Sequence, residues 1–105
     1  MAAKHQVTVE VGLAPPQAEA AVYHALVAAG LGGVRGGGGV LTGETSANVR
    51  SWGERVTATI GFGPRGACVT LVSECLMPTQ LLDWGKNRAN VTAVVERLRA
   101  LAPVL

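Results

Sequence analysis

The chain has 105 residues, 49% hydrophobic and 15% charged, with a formal charge of +2. That length supplies one core rather than two, and that composition is too apolar for a chain that stays disordered. Its nine Lys and Arg residues are scattered rather than gathered into a basic face, which argues against a nucleic-acid partner. The opening M-A-A-K-H-Q-V-T-V-E-V contains no apolar run as long as a signal-peptide core or a membrane span, so a cytoplasmic protein without a membrane span is expected.

Val7, Val9 and Val11 alternate with Thr8 and Glu10, the period of a half-buried strand. Pro15 and Pro16 then suit the first turn of a helix, whose N–H groups have no partner to lose. Ala18, Ala21, Val22, Ala25, Leu26 and Ala29 recur at helical spacing up to Gly30. This stripe is mostly alanine, so the helix can lie close against a sheet.

G-L-G-G-V-R-G-G-G-G, residues 30 to 39, invites comparison with a phosphate-cradling loop. The register is wrong for one. A dinucleotide loop leads from a strand into a helix, Arg35 interrupts the glycine spacing, and no Gly-Lys-Ser/Thr follows. A flexible connection or a glycine-rich edge is the better reading.

Three strands are predicted next, near residues 40 to 50, 54 to 62 and 67 to 76, with G-P-R-G at 63 to 66 as a hairpin connection. In the last of these, Ala67, Val69, Leu71, Ser73 and Cys75 share one face. The opposite face, with Cys68, Thr70, Val72, Glu74 and Leu76, is more apolar than a fully wetted surface requires and leaves room for a cover or a partner. The two cysteines, Cys68 and Cys75, are seven residues apart and so fall on opposite faces, unsuited to a disulfide. Without a Cys-x-x-Cys spacing or a nearby His they also make a poor zinc site, and no metal or cofactor is expected.

After Pro78, a final helix is predicted to begin near Asp83, whose side chain suits a cap. Trp84, Asn87, Val91, Val94, Val95, Leu98, Leu101 and Ala102 form its apolar stripe, while Lys86, Glu96 and Arg97 point away. The resulting fold class is α+β: a two-layer β-α-β-β-β-α domain with helices on one face of a mainly antiparallel sheet.

Both tryptophans precede a glycine at an element junction, in R-S-W-G-E-R-V at residues 50 to 56 and L-L-D-W-G-K-N at residues 81 to 87. The conservative reading makes Trp52 and Trp84 apolar clamps, each with one N–H to satisfy. The functional reading gathers Trp52, Glu54, Asp83, Trp84, Lys86, Asn87 and Asn90 at one end of the domain, with Glu54 and Lys86 as a possible ion pair. Asn87 is the odd member, because an amide inside an apolar stripe needs partners or costs about 1–3 kcal/mol. His5 and His24 read as ordinary surface or packing residues, and no serine sits in a nucleophile elbow.

Ser51, Trp52, Gly53 and Glu54, followed by Pro78, Thr79, Gln80, Asp83, Trp84, Gly85, Lys86, Asn87 and Asn90, resemble a set of small bacterial domains with no established activity. The resemblance spans roughly residues 40 to 101 and implies a discrete domain with a linked pair of motifs, but no reaction. The expected function is a small non-enzymatic domain that binds a small molecule or a protein, as a monomer or weak homodimer. The alternative is a hydrolase- or cyclase-like enzyme with a cavity between the sheet and the last helix and Glu54 or Asp83 as general base.

Overall fold

A computed structural model of the chain describes residues 3–46, 53–77 and 85–105. Five strands form one sheet: β1 (Lys4–Val11), β2 (Gly32–Gly37), β3 (Val40–Glu44), β4 (Glu54–Gly63) and β5 (Gly66–Cys75). Two helices, α1 (Pro15–Ala28) and α2 (Lys86–Leu101), complete a β-α-β-β-β-β-α order. The strands lie in the order β1-β5-β4-β3-β2, with every neighbouring pair antiparallel. The α+β class and the helices on one face agree with the sequence reading; the strand count does not.

The additional strand is β2, drawn from the glycine-rich stretch read as a connection or edge. It pairs with β3 through a register shift between Gly32 and Arg35 and lies at the edge of the sheet. Alternation could not reveal it, because glycines carry no side chain to alternate. Its geometry also demands glycine: Gly36 has φ +130, and a Cβ there would collide with the Val40 carbonyl oxygen.

α1 begins at its two prolines and ends in a Schellman motif. Gly30, with φ +91, donates to the Val27 carbonyl at 3.0 Å and Leu31 donates to the Leu26 carbonyl at 3.2 Å, leaving Leu31 buried beside the helix. α2 begins at Lys86 rather than near Asp83. Gly85 precedes it with φ +76, a left-handed conformation that interrupts helical geometry and sets the first turn two residues later than expected. Asp83 and Trp84, and with them the expected cap and the head of the stripe, lie outside the described residues, as does Trp52 and the part of the predicted 40 to 50 strand beyond residue 46.

The core forms between the sheet and both helices. Val11, Leu41, Val56, Ala58, Val69 and Leu71 meet Ala18, Val22, Ala25 and Leu26 of α1 and Val91, Val94 and Leu98 of α2. Alanines on both sides, Ala18 and Ala25 against Ala58 and Ala67, are fully buried, as expected from close helix-to-sheet approach. Among the described residues of the predicted stripe, the one that is not buried is Leu101, 51% exposed because the helix ends there and the chain turns to extended backbone at Ala102. The tail then returns to the sheet: Gly12 donates to the Pro103 carbonyl and Leu105 to the Glu10 carbonyl, both at 2.8 Å, covering one end of edge strand β1.

Cys68 and Cys75 are not joined in a disulfide and lie on opposite faces, as their spacing requires. No helix among the described residues is long and apolar enough to cross a membrane.

Candidate functional site

At one end of the sheet, three buried polar side chains interrupt the apolar layer: Glu54, Ser73 and Asn87, none more than 1% exposed. Alternation puts Glu54 and Ser73 there. Each belongs to the helix-facing set of its strand, Glu54 with Val56 and Ala58, Ser73 with Val69 and Leu71. Asn87 and Asn90 come from the first turn of α2, three residues apart and therefore on one face.

These groups form a continuous hydrogen-bond chain. Ser73 Oγ donates to Asn87 Oδ1 at 2.8 Å and accepts from Asn90 Nδ2 at 3.1 Å. The second N–H of Asn90 reaches Glu54 Oε1 at 3.0 Å. Thr45, just beyond β3, donates its hydroxyl to the same oxygen at 2.9 Å, while its Oγ1 accepts the Glu54 backbone N–H at 2.8 Å. Asn87 Nδ2 donates to the Ala3 carbonyl at 2.9 Å and approaches Cys75 Sγ at 3.6 Å. One network thus joins the ends of β1, β3, β4 and β5 to the start of α2.

The partner that the sequence could not name for Asn87 is therefore Ser73 together with a backbone carbonyl. The expected Glu54–Lys86 ion pair is not among the ion pairs of the described residues. The Glu54 carboxylate turns inward to Thr45 and Asn90, whereas Lys86 lies half-buried at the helix start. Of the residues proposed to gather at this end, Glu54, Asn87 and Asn90 are joined directly. Trp52, Asp83 and Trp84 fall outside the described residues; Gly53 and Gly85, which follow the two tryptophans in sequence, flank the network.

Thr45 and Ser73 escaped the sequence reading because hydroxyl residues on strands are ordinary. His5 did too: it stands opposite Ser73 in the β1–β5 register, on the helix-facing side. Cross-strand register, which the sequence does not contain, is what places it there. Ser73 nonetheless spends its proton on Asn87 rather than on the imidazole.

A second, shallower feature lies at the other end. Pro16, Glu19, Tyr23 and His24 of α1 face Gly36 and Leu41 across a groove of about 340 Å³. Glu19 Oε1 accepts the Gly39 N–H at 2.6 Å, tying α1 to the β2–β3 turn. Among the described residues, no three of His, Cys, Asp and Glu converge to hold a metal ion. No protein-family model and no curated protein matches the chain.

Proposed function

We propose that the protein is a small non-enzymatic binding domain, for a small molecule or a protein, whose recognition end is the one built around Glu54, Asn87 and Asn90. The observation that supports it is the buried carboxylate–amide network. A carboxylate and two amides carry a desolvation cost that apolar residues of similar size avoid, so their return is a fixed geometry more than stability. That geometry is imposed on the strand and helix ends from which both Trp-Gly segments continue in sequence. In this reading Trp52, Asp83, Trp84 and Lys86 supply contact surface and the network holds their attachment points in place. The scattered basic residues favour a partner other than nucleic acid, and a cytoplasmic, bacterial setting belongs to the same proposal.

The test is a titration of the isotopically labelled protein with mixtures of metabolites and short peptides, following amide shifts. Changes concentrated at residues 51 to 54 and 83 to 90 are expected. Changes confined to the Tyr23–His24 groove would move the site elsewhere.

An enzymatic reading other than the one with Glu54 or Asp83 as general base draws its support from the His5–Ser73 register, and is weakened by the direction of the Ser73 hydroxyl. Turnover of activated esters that disappears in Ser73→Ala would favour it over the binding reading.

A further inference from the structure

The groove beside α1 owes one wall to helical spacing and the other to glycine. Glu19 and Tyr23 lie four residues apart on the helix, as do Ala20 and His24, so the two pairs stand side by side on its surface. Opposite them are Gly36, which brings no side chain, and Leu41, which is buried. The rings of Tyr23 and His24 meet edge to face with centroids 5.8 Å apart, which braces the aromatic part of the wall. A groove of about 340 Å³ is at the small end of ligand sites and suits a molecule of roughly ten non-hydrogen atoms.

Glu19 is the one acidic side chain among the described residues that line this groove, and no Lys or Arg lines it. Its Oε1 accepts the Gly39 N–H at 2.6 Å, which fixes the carboxylate in place. Among the described residues Oε2 has no hydrogen-bond partner, and it is not closed off from solvent. No cation of the described chain reaches it either. Glu10, Glu44 and Glu96 each pair with an arginine, whereas Glu19 makes no ion pair among the described residues. Arg35, next to Gly36 in sequence, is committed elsewhere: its guanidinium holds both Glu44 oxygens at 3.0 Å and the Gly33 carbonyl at 2.7 Å.

We infer that this groove is a binding site for a small organic cation, a primary ammonium carried on an apolar body. A held carboxylate with one oxygen to spare, among apolar and aromatic side chains, is a counter-charge for a cation that the described chain does not supply. The ammonium donates to Oε2 of Glu19, and the body lies along Ala20, Leu41 and the Tyr23 ring, whose face also attracts positive charge. Gly36 keeps the opposite wall open, since its φ of +130 and the Val40 carbonyl oxygen exclude a side chain there. An anion would meet the Glu19 carboxylate, and an uncharged molecule of the same shape would forgo the ion pair, so charge selects the occupant. The inference uses no residue of the recognition end proposed above, so either can fail without the other.

Phenethylamine tests it, with 2-phenylethanol and 3-phenylpropionate as its uncharged and anionic counterparts, each titrated into the isotopically labelled full chain at pH 7.5 while amide shifts are followed. The amine should saturate shifts at Glu19, Ala20, Tyr23, His24 and Gly36 with a Kd of about 1–10 mM, ~5–10-fold tighter than the alcohol, with the acid weaker still. Glu19→Gln keeps an oxygen for the Gly39 N–H while removing the charge, and should bring the amine to within ~2-fold of the alcohol. Ala20→Leu fills the groove from the exposed helix surface and should weaken amine and alcohol alike. Should either variant fail to fold, the three probes compared on the unaltered chain still decide. The inference is overturned by an amine that gives no saturable shift up to about 50 mM, by an alcohol or acid that binds as tightly, by an affinity that Glu19→Gln leaves unchanged, or by shifts that concentrate at residues 51 to 54 and 83 to 90 instead.

Discussion

Asn87 and Glu54 show how a single polar residue in an apolar layer becomes a structural commitment. Removing Asn87 takes away the acceptor of Ser73 and the donor to Ala3, so Asn87→Ala should lower stability by about 2–3 kcal/mol, read from urea denaturation. Glu54→Gln keeps an acceptor oxygen for Thr45 and Asn90, whereas Glu54→Ala leaves both donors unmatched. The second substitution should therefore cost at least about 1–3 kcal/mol more than the first, and equal costs would mean that the carboxylate oxygens are not what hold this end together. The sequence marked Asn87 as needing partners because its helical phase put it among valines. It could not name Ser73, which is 14 residues away along the chain and becomes a neighbour only when α2 folds back on β5.

At the level of elements, the two hairpins obey different constraints. The β2–β3 pair depends on backbone geometry that only glycine accommodates. Gly36→Ala should destabilise by more than about 2 kcal/mol, while Gly37→Ala, with open space around its Cβ position, should change stability by less than about 1 kcal/mol. The β4–β5 hairpin is instead tied to β1 by Arg65, which pairs with Glu10 at 2.9 Å and also donates its backbone N–H. Those hydrogen bonds hold the Glu10 carboxyl below its ordinary value of 4.5. A lowered folded value means that the tie contributes fully above about pH 4.5 and is lost as pH falls through the lowered value. Glu10→Gln should accordingly flatten the acid side of the stability profile in thermal melts from pH 6 to pH 2, and an unchanged profile would show that the pair carries no linked stability.

For the molecule as a whole, stability rests on one apolar layer filled from both sides. Leu71 in a central strand and Leu98 on α2 are both fully buried, so Leu71→Ala and Leu98→Ala should each cost about 2–5 kcal/mol. Hydrogen exchange should divide the sheet by position, slowest in β4 and β5, which have neighbours on both sides, and fastest in β2, an edge strand of exposed glycines. Among the described residues no element covers the second face of the sheet.

Local order was legible wherever side chains alternate or recur. The valines of β1, the prolines opening α1, the Val56–Ile60 alternation of β4 and the α2 stripe each follow from periodicities of two or 3.6 residues, and with them the α+β class and the helix-covered face. The glycine run concealed β2, since a strand without side chains has no pattern. Which residues would share the polar network was a tertiary matter: Thr45, Glu54, Ser73, Asn87 and Asn90 converge only through strand register and the angle at which α2 returns. Burial then determined what those residues do, because a carboxylate excluded from water must turn to the hydroxyl and amide donors beside it. The sequence by itself determined which face of each element is apolar; tertiary structure alone decided which polar groups must meet there.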